Sequence, residues 1–101
     1  MTDKQTNELT LVATITAKAG KADVLKSALL DLVAPTQAEE GCLQYDLHQD
    51  NQDPNVFAFL ERWTGYDSWH AHMETTHIKA YMALADDLVD AFVVKEMHAI
   101  G

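Results

Sequence analysis

Along residues 9–17 the chain reads Leu-Thr-Leu-Val-Ala-Thr-Ile-Thr-Ala, and Leu9, Leu11, Ala13, Ile15 and Ala17 share one face of a two-residue repeat. That period, with β-branched threonines between the apolar positions, predicts a strand. Lys18-Ala19-Gly20-Lys21 interrupts it. From about Lys21 the spacing becomes helical: Leu25, Ala28, Leu29 and Leu32 form a stripe that Val24 and Val33 widen. Asp23 lies in the first turn, where a negative charge suits the helix dipole. Pro35 is expected to kink or end this helix, and Glu39-Glu40-Gly41 reads as its C-terminus. Alternation returns from Cys42 to Gln49, with Leu43, Tyr45 and Leu47 opposed by Gln44, Asp46 and His48. The turn-rich residues 50–55 predict that Val56–Trp63 comes back as the second arm of a hairpin.

This third strand differs from the first two. Val56, Ala58 and Leu60 are apolar on one face, and Phe57, Phe59 and Trp63 on the other, so both faces are expected to be covered. Thr64-Gly65 ends the strand, and Asp67-Ser68 offers a cap for a short helix with Trp69 and Met73 one turn apart. Thr75-Thr76 restarts the helix, in which Ile78, Tyr81, Met82, Ala85, Leu88 and Val89 keep one stripe. Residues 91–100, with Phe92-Val93-Val94, predict a last strand. The order β-α-β-β-α-β, with the second helix broken, predicts an α+β fold: a ferredoxin-like antiparallel sheet with helices on one face. One domain over residues 9–101 follows a flexible arm over residues 1–8. A second copy is expected on the open sheet face, making a dimeric α+β barrel.

Composition narrows the function. Seven Lys and Arg against sixteen Asp and Glu give a net charge of −9. Phosphate backbones and anionic lipids call for clustered cations, so neither nucleic acid nor membrane is expected as a partner. The longest apolar run, residues 80–85, is far short of the ~20 residues of a membrane span. Residues 1–8 are polar and lack the core of a secretory signal, which points to the cytoplasm. The single cysteine, Cys42, rules out an intrachain disulfide and a cysteine-based zinc cluster, and it reads as packing.

Five histidines raise the question of a metal. His70 and His72 diverge by about 200° around a helix, so they cannot meet at one ion. His72 and His77 could approach only through the bend at Thr75-Thr76. No bound metal and no other cofactor is expected. A proton acceptor fits better: His72 sits at the edge of the Trp69/Met73 stripe, and His77 opens a helix whose dipole disfavours imidazolium. The competing reading for each is a hydrogen-bonded residue that fixes the bend. Glu61 shares its strand face with Phe57, Phe59 and Trp63, a setting that raises a carboxyl's pKa or demands a partner. Its competing reading is a salt bridge. Trp63, Trp69 and Tyr81 could stack on a flat aromatic ligand or simply fill the core, and His48 and His98 read as surface.

Four segments resemble the antibiotic biosynthesis monooxygenase domain family. They are residues 11–20, Glu39-Glu-Gly-Cys-Leu-Gln-Tyr45, Phe57-Ala-Phe-Leu-Glu-Arg-Trp63 and His72-Met-Glu-Thr-Thr-His-Ile-Lys-Ala-Tyr81. The likeness spans residues 9–100, and the Glu-x-Trp and His-x4-His pairs are its most specific parts. It implies a dimeric ferredoxin-like barrel that oxidises an aromatic quinol or polyphenol with molecular oxygen, without metal or flavin. His72, His77, Glu61 and Trp63 are the residues matched by motif position. The haem-degrading relatives carry Asn and Trp where Ala13 and His72 stand here, so haem degradation is disfavoured. The run around His77 to Tyr81 is similar to small bacterial quinol monooxygenases. Two other classes remain open: a non-catalytic dimeric module binding an aromatic metabolite, and an isomerase on a small sugar-like signal compound. The isomerase would need phosphate-binding cations, of which Lys79 is the nearest.

Overall fold

β1 (Leu9–Ala17) alternates buried and half-buried residues over its whole length, because it is an inner strand whose even and odd positions meet different surroundings. The structure, a computed structural model, describes residues 7–101; residues 1–6 of the expected N-terminal arm lie outside the described residues. After β1 come α1 (Ala22–Leu30), α2 (Val33–Gln37), β2 (Cys42–Gln49), β3 (Val56–Trp63), α3 (Tyr66–Met73), α4 (Thr76–Leu88) and β4 (Val89–Met97). The four strands form one antiparallel sheet in the order β2-β3-β1-β4, the ferredoxin-like arrangement.

Register decides which residues face the helices. Leu11 pairs with Glu61, Ala13 with Phe59 and Ile15 with Phe57, and directly opposed residues lie on the same face. This face, with Leu25 and Leu29 of α1 and Ile78 and Leu88 of α4, is the core. Burying a side chain such as Phe57 or Leu25 completely stabilises the fold by about 1.5–3 kcal/mol each. The other face pairs Val12 with Leu60 and Lys95, and Thr14 with Ala58 and Val93. No helix among the described residues covers it, and Leu60 and Val93 are exposed. The two-sided pattern of β3 therefore has one face covered within the chain and one left open.

Several local expectations need correction. The first helix breaks at Asp31-Leu32, before the proline. Pro35 cannot donate to the Asp31 carbonyl, so a new short helix starts at Val33 with Pro35 in its first turn, where no N–H is needed. Val24 does not widen the stripe; it lies on the outer side of α1 and is exposed. Neither Asp67 nor Ser68 caps α3. Gly65 holds the N-cap position without a side-chain bond, and Ser68 Oγ donates to the Gly65 carbonyl. Val89 belongs to β4, which follows α4 directly and ends at Met97, short of residue 100.

Candidate active site

A cavity of about 400 Å³ lies between the helices and the sheet, reaching the edge at β4. Its floor includes Ala13, Phe59 and Glu61, and its far wall includes His72, Trp69 and Tyr81. Apart from Tyr45, Glu61 and His72 are the only buried ionisable side chains among the described residues. A groove of about 580 Å³ near Tyr66 and Glu96 is larger but polar and open, and it contains none of the candidate catalytic residues.

The bend between α3 and α4 brings His72 and His77 together. Thr75 makes it: its hydroxyl donates to the His72 carbonyl at 2.7 Å and accepts from the Ile78 N–H that opens α4. Glu39 enters from the turn between α2 and β2. Its Oε2 lies 2.7 Å from His72 Nδ1 and 2.7 Å from His77 Nε2. A carboxylate accepts, so each imidazole nitrogen facing it donates, and a neutral His72 carries its proton on Nδ1. Nε2 of His72 then holds a lone pair and has no partner among the described residues. Burial pushes His72 below its ordinary value of 6.5, against the opposing hydrogen bond that it donates to Glu39. The ring is a neutral base at neutral pH.

Glu61 is the second acceptor. It lies on the helix-facing side of β3 and is 6% exposed. Burial lifts its carboxyl from the ordinary 4.5 to about 7, while the Trp63 indole N–H, donating to Oε1 at 3.0 Å, pulls the other way. Within the chain, among the described residues, Glu61 makes no salt bridge; Arg62, on the opposite face of β3, pairs with Glu8. This carboxyl makes stability depend on pH. A folded-state value raised above the unfolded one means that stabilisation is complete below about pH 4.5 and is lost as pH rises through 7. The loss is about 3 kcal/mol. Urea unfolding at fixed protein concentration should show this decline, and Glu61→Gln should remove it. His72 acts in the opposite sense, costing stability as pH falls below 6.5, and that acid-side loss should remain in the variant.

The remaining aromatics divide. Trp69 and Tyr81 line the cavity, whereas Trp63 does not. Trp63 is fully buried beside it, with its ring 4.8 Å from His72 and its N–H on Glu61. It packs against both candidate acceptors. His77 and Glu39 also stand off the cavity wall. Tyr45, read from sequence only as a strand residue, lines the cavity, stacks on Phe59 at 4.3 Å and meets His72 edge-on at 5.6 Å. The alternation of β2 already placed it on the inner face; only the packing put it against His72. Glu39 left no local signal, because its partners are 33 and 38 residues away. Cys42 is a half-buried free thiol that burial makes less acidic. Lys79 is exposed and pairs with Glu74, outside the cavity, so it supplies no phosphate-binding charge there.

Fold and site together define a small α+β protein with a mostly apolar cavity and a carboxylate-held histidine in its wall. The sequence profile of the antibiotic biosynthesis monooxygenase family matches residues 9–84, and the chain belongs to that family. It is 34% identical over 83 residues to the Bacillus subtilis (strain 168) protein "Putative monooxygenase YcnE", covering 82% of this chain and 87% of that one. The crystal structure of PA3566 from Pseudomonas aeruginosa superposes with a TM-score of 0.93 at 37% identity, covering 97% of this chain and 99% of that one. A crystal structure of an antibiotic biosynthesis monooxygenase superposes with a TM-score of 0.86 at 29% identity, over 92% and 99% of the two chains. No helix among the described residues is long and apolar enough to cross a membrane.

Proposed function

We propose that this chain is a cytoplasmic, cofactor-independent monooxygenase that oxidises an aromatic quinol or polyphenol with molecular oxygen. The observation that carries this reading is the pairing of an apolar cavity with two buried proton acceptors, His72 and Glu61. Family membership and the name of the Bacillus relative support it. A quinol seated against Tyr45, Trp69 and Tyr81 gives up a hydroxyl proton to His72 Nε2. The imidazolium so formed is stabilised by Glu39, whose carboxylate already accepts from Nδ1. The electron-rich anion passes one electron to oxygen, and the apolar walls keep water from the radical pair until it recombines at carbon. Loss of water then leaves a hydroxyquinone. One oxygen atom enters the ring, the other leaves as water, and the quinol supplies all four electrons. In this reading Glu61, which also lines the cavity, takes up the second hydroxyl proton.

Oxygen uptake with reduced menadione tests this reading. The expected result is a rate well above the uncatalysed one, with isotopically labelled oxygen appearing in the hydroxylated product. A rate equal to the uncatalysed reaction would overturn it.

The proposal includes a homodimer formed through the open sheet face. Val12, Val56, Ala58, Leu60 and Val93 make an apolar centre on that face, flanked by Arg62, Lys95, Asp46 and His48. Stable homodimers commonly bury about 2,000 Å² or more. Light scattering should give about twice 11.2 kDa. Leu60→Asp, which places a charge at the centre of the contact, should shift the mass to the monomer. A wild-type monomer at micromolar concentration would refute the dimer.

A further inference from the structure

We propose that Glu39, His72 and His77 form a binding site for one zinc-class divalent ion, and that the ion switches off the base at His72. The donor set is two imidazole nitrogens and one carboxylate oxygen, the borderline set that suits zinc, cobalt, nickel and copper. The three donor atoms already lie within 4.8 Å of one another. Tetrahedral coordination at bond lengths of about 2.0–2.2 Å needs donors roughly 3.4 Å apart. Starting from 2.7 Å, Glu39 must withdraw by less than an ångström from each histidine, and the two imidazole nitrogens, within 4.8 Å of each other, must close by up to about 1.4 Å. It has the freedom to do so. Glu39 lies in a turn outside the helices and strands, and its carboxylate has no partners besides these two histidines among the described residues. The His77 side chain is 23% exposed, which opens a path for the ion and a place for water as fourth ligand. An overall charge of −9 draws cations toward the chain.

The position of the three donors decides what the ion does. Glu39 and His77 stand off the cavity wall and His72 forms part of it, so the ion would sit behind the base, out of reach of a bound substrate. Coordination takes the lone pair of His72 Nδ1. The proton held there moves to Nε2, and the one on His77 Nε2 moves to Nδ1. With Nε2 protonated, His72 no longer has a lone pair with which to accept a substrate proton. The ion is thus an inhibitor and not a participant in the reaction. This second half rests on the assignment of His72 as base; the binding itself does not.

Titrating chelator-treated protein with Co²⁺ tests the site. Visible d–d absorption should saturate at one ion per chain, and Zn²⁺ should displace it. Glu39→Gln and His77→Gln should each weaken binding by at least about 100-fold, since each removes a direct ligand. His70→Ala and His98→Ala should leave it unchanged, and circular dichroism should show all four variants folded. Absence of the band, or wild-type affinity in His77→Gln or Glu39→Gln, overturns the site. Zn²⁺ should then inhibit quinol-dependent oxygen uptake at the concentration that fills the site, reversibly on chelation. Filling without inhibition overturns the switch and the base assignment while leaving the ion site standing. A protein with no oxygen uptake at all would refute the proposed activity, with the Co²⁺ titration still deciding the site.

Discussion

His72→Ala is expected to lower kcat for quinol-dependent oxygen uptake by about 10²–10⁴-fold, the usual contribution of a positioned general base. The reason is geometric. His72 is 3% exposed, lines the cavity, and has Nδ1 committed to Glu39, so in the proposed reaction Nε2 is the ring nitrogen left to accept the proton. Binding of an aromatic product should change much less, because Tyr45, Trp69 and Tyr81 keep their places in the wall. His70→Ala is the matched control: His70 is exposed two residues away on the same helix and lines no part of the cavity, so its loss should be nearly silent. If His72→Ala retains full kcat while Glu61→Gln abolishes it, the base is Glu61 and His72 serves the bend.

Gly41→Ala should destabilise the fold by about 2–5 kcal/mol, a large share of the 5–15 kcal/mol that holds a typical domain together. Two effects add. Gly41 has φ +87, where an L-residue costs about 1–2 kcal/mol. A Cβ there would also stand 2.4 Å from Ser68 Cβ and 2.9 Å from Thr64 Oγ1, and such overpacking costs about 1–3 kcal/mol more. Gly20→Ala separates the two, because Gly20 has φ +78 and open space around its missing Cβ. It should show the conformational cost alone. Urea unfolding of both variants gives the difference; equal losses would remove the contact with Ser68 as a cause. Gly41 follows Glu39 by two residues and its carbonyl accepts from the Thr64 N–H. The strain should therefore also loosen the carboxylate behind His72 and lower kcat.

Secondary structure was legible wherever one face of an element meets a uniform environment. β1 is the plainest case, since its inner position buries Leu9, Leu11, Ala13, Ile15 and Ala17 without exception. Errors cluster at ends and joins, where tertiary contacts override local pattern. Val89 continues the helical stripe in sequence, yet it extends from α4 into the sheet, where it pairs with Ala17. Val24 is apolar at a neighbouring helical angle, but α1 turns only the Leu25/Leu29 side inward.

The order of elements, the acidic balance and the apolar setting of Glu61 follow from the sequence by itself, because periodicity, charge and strand alternation are properties of neighbours along the chain. Alternation put Glu61 on the face of Phe57, Phe59 and Trp63, and the helix stripe put His72 at the edge of an apolar surface. Tertiary structure alone decided what those residues do to one another. It closed the Thr75 bend far enough to bring His77 to Glu39, brought that carboxylate to His72 across 33 residues of chain, and set Trp63 on Glu61 as a donor instead of a cavity wall. These contacts depend on how the helices cross the sheet, and no spacing within either segment encodes that distance.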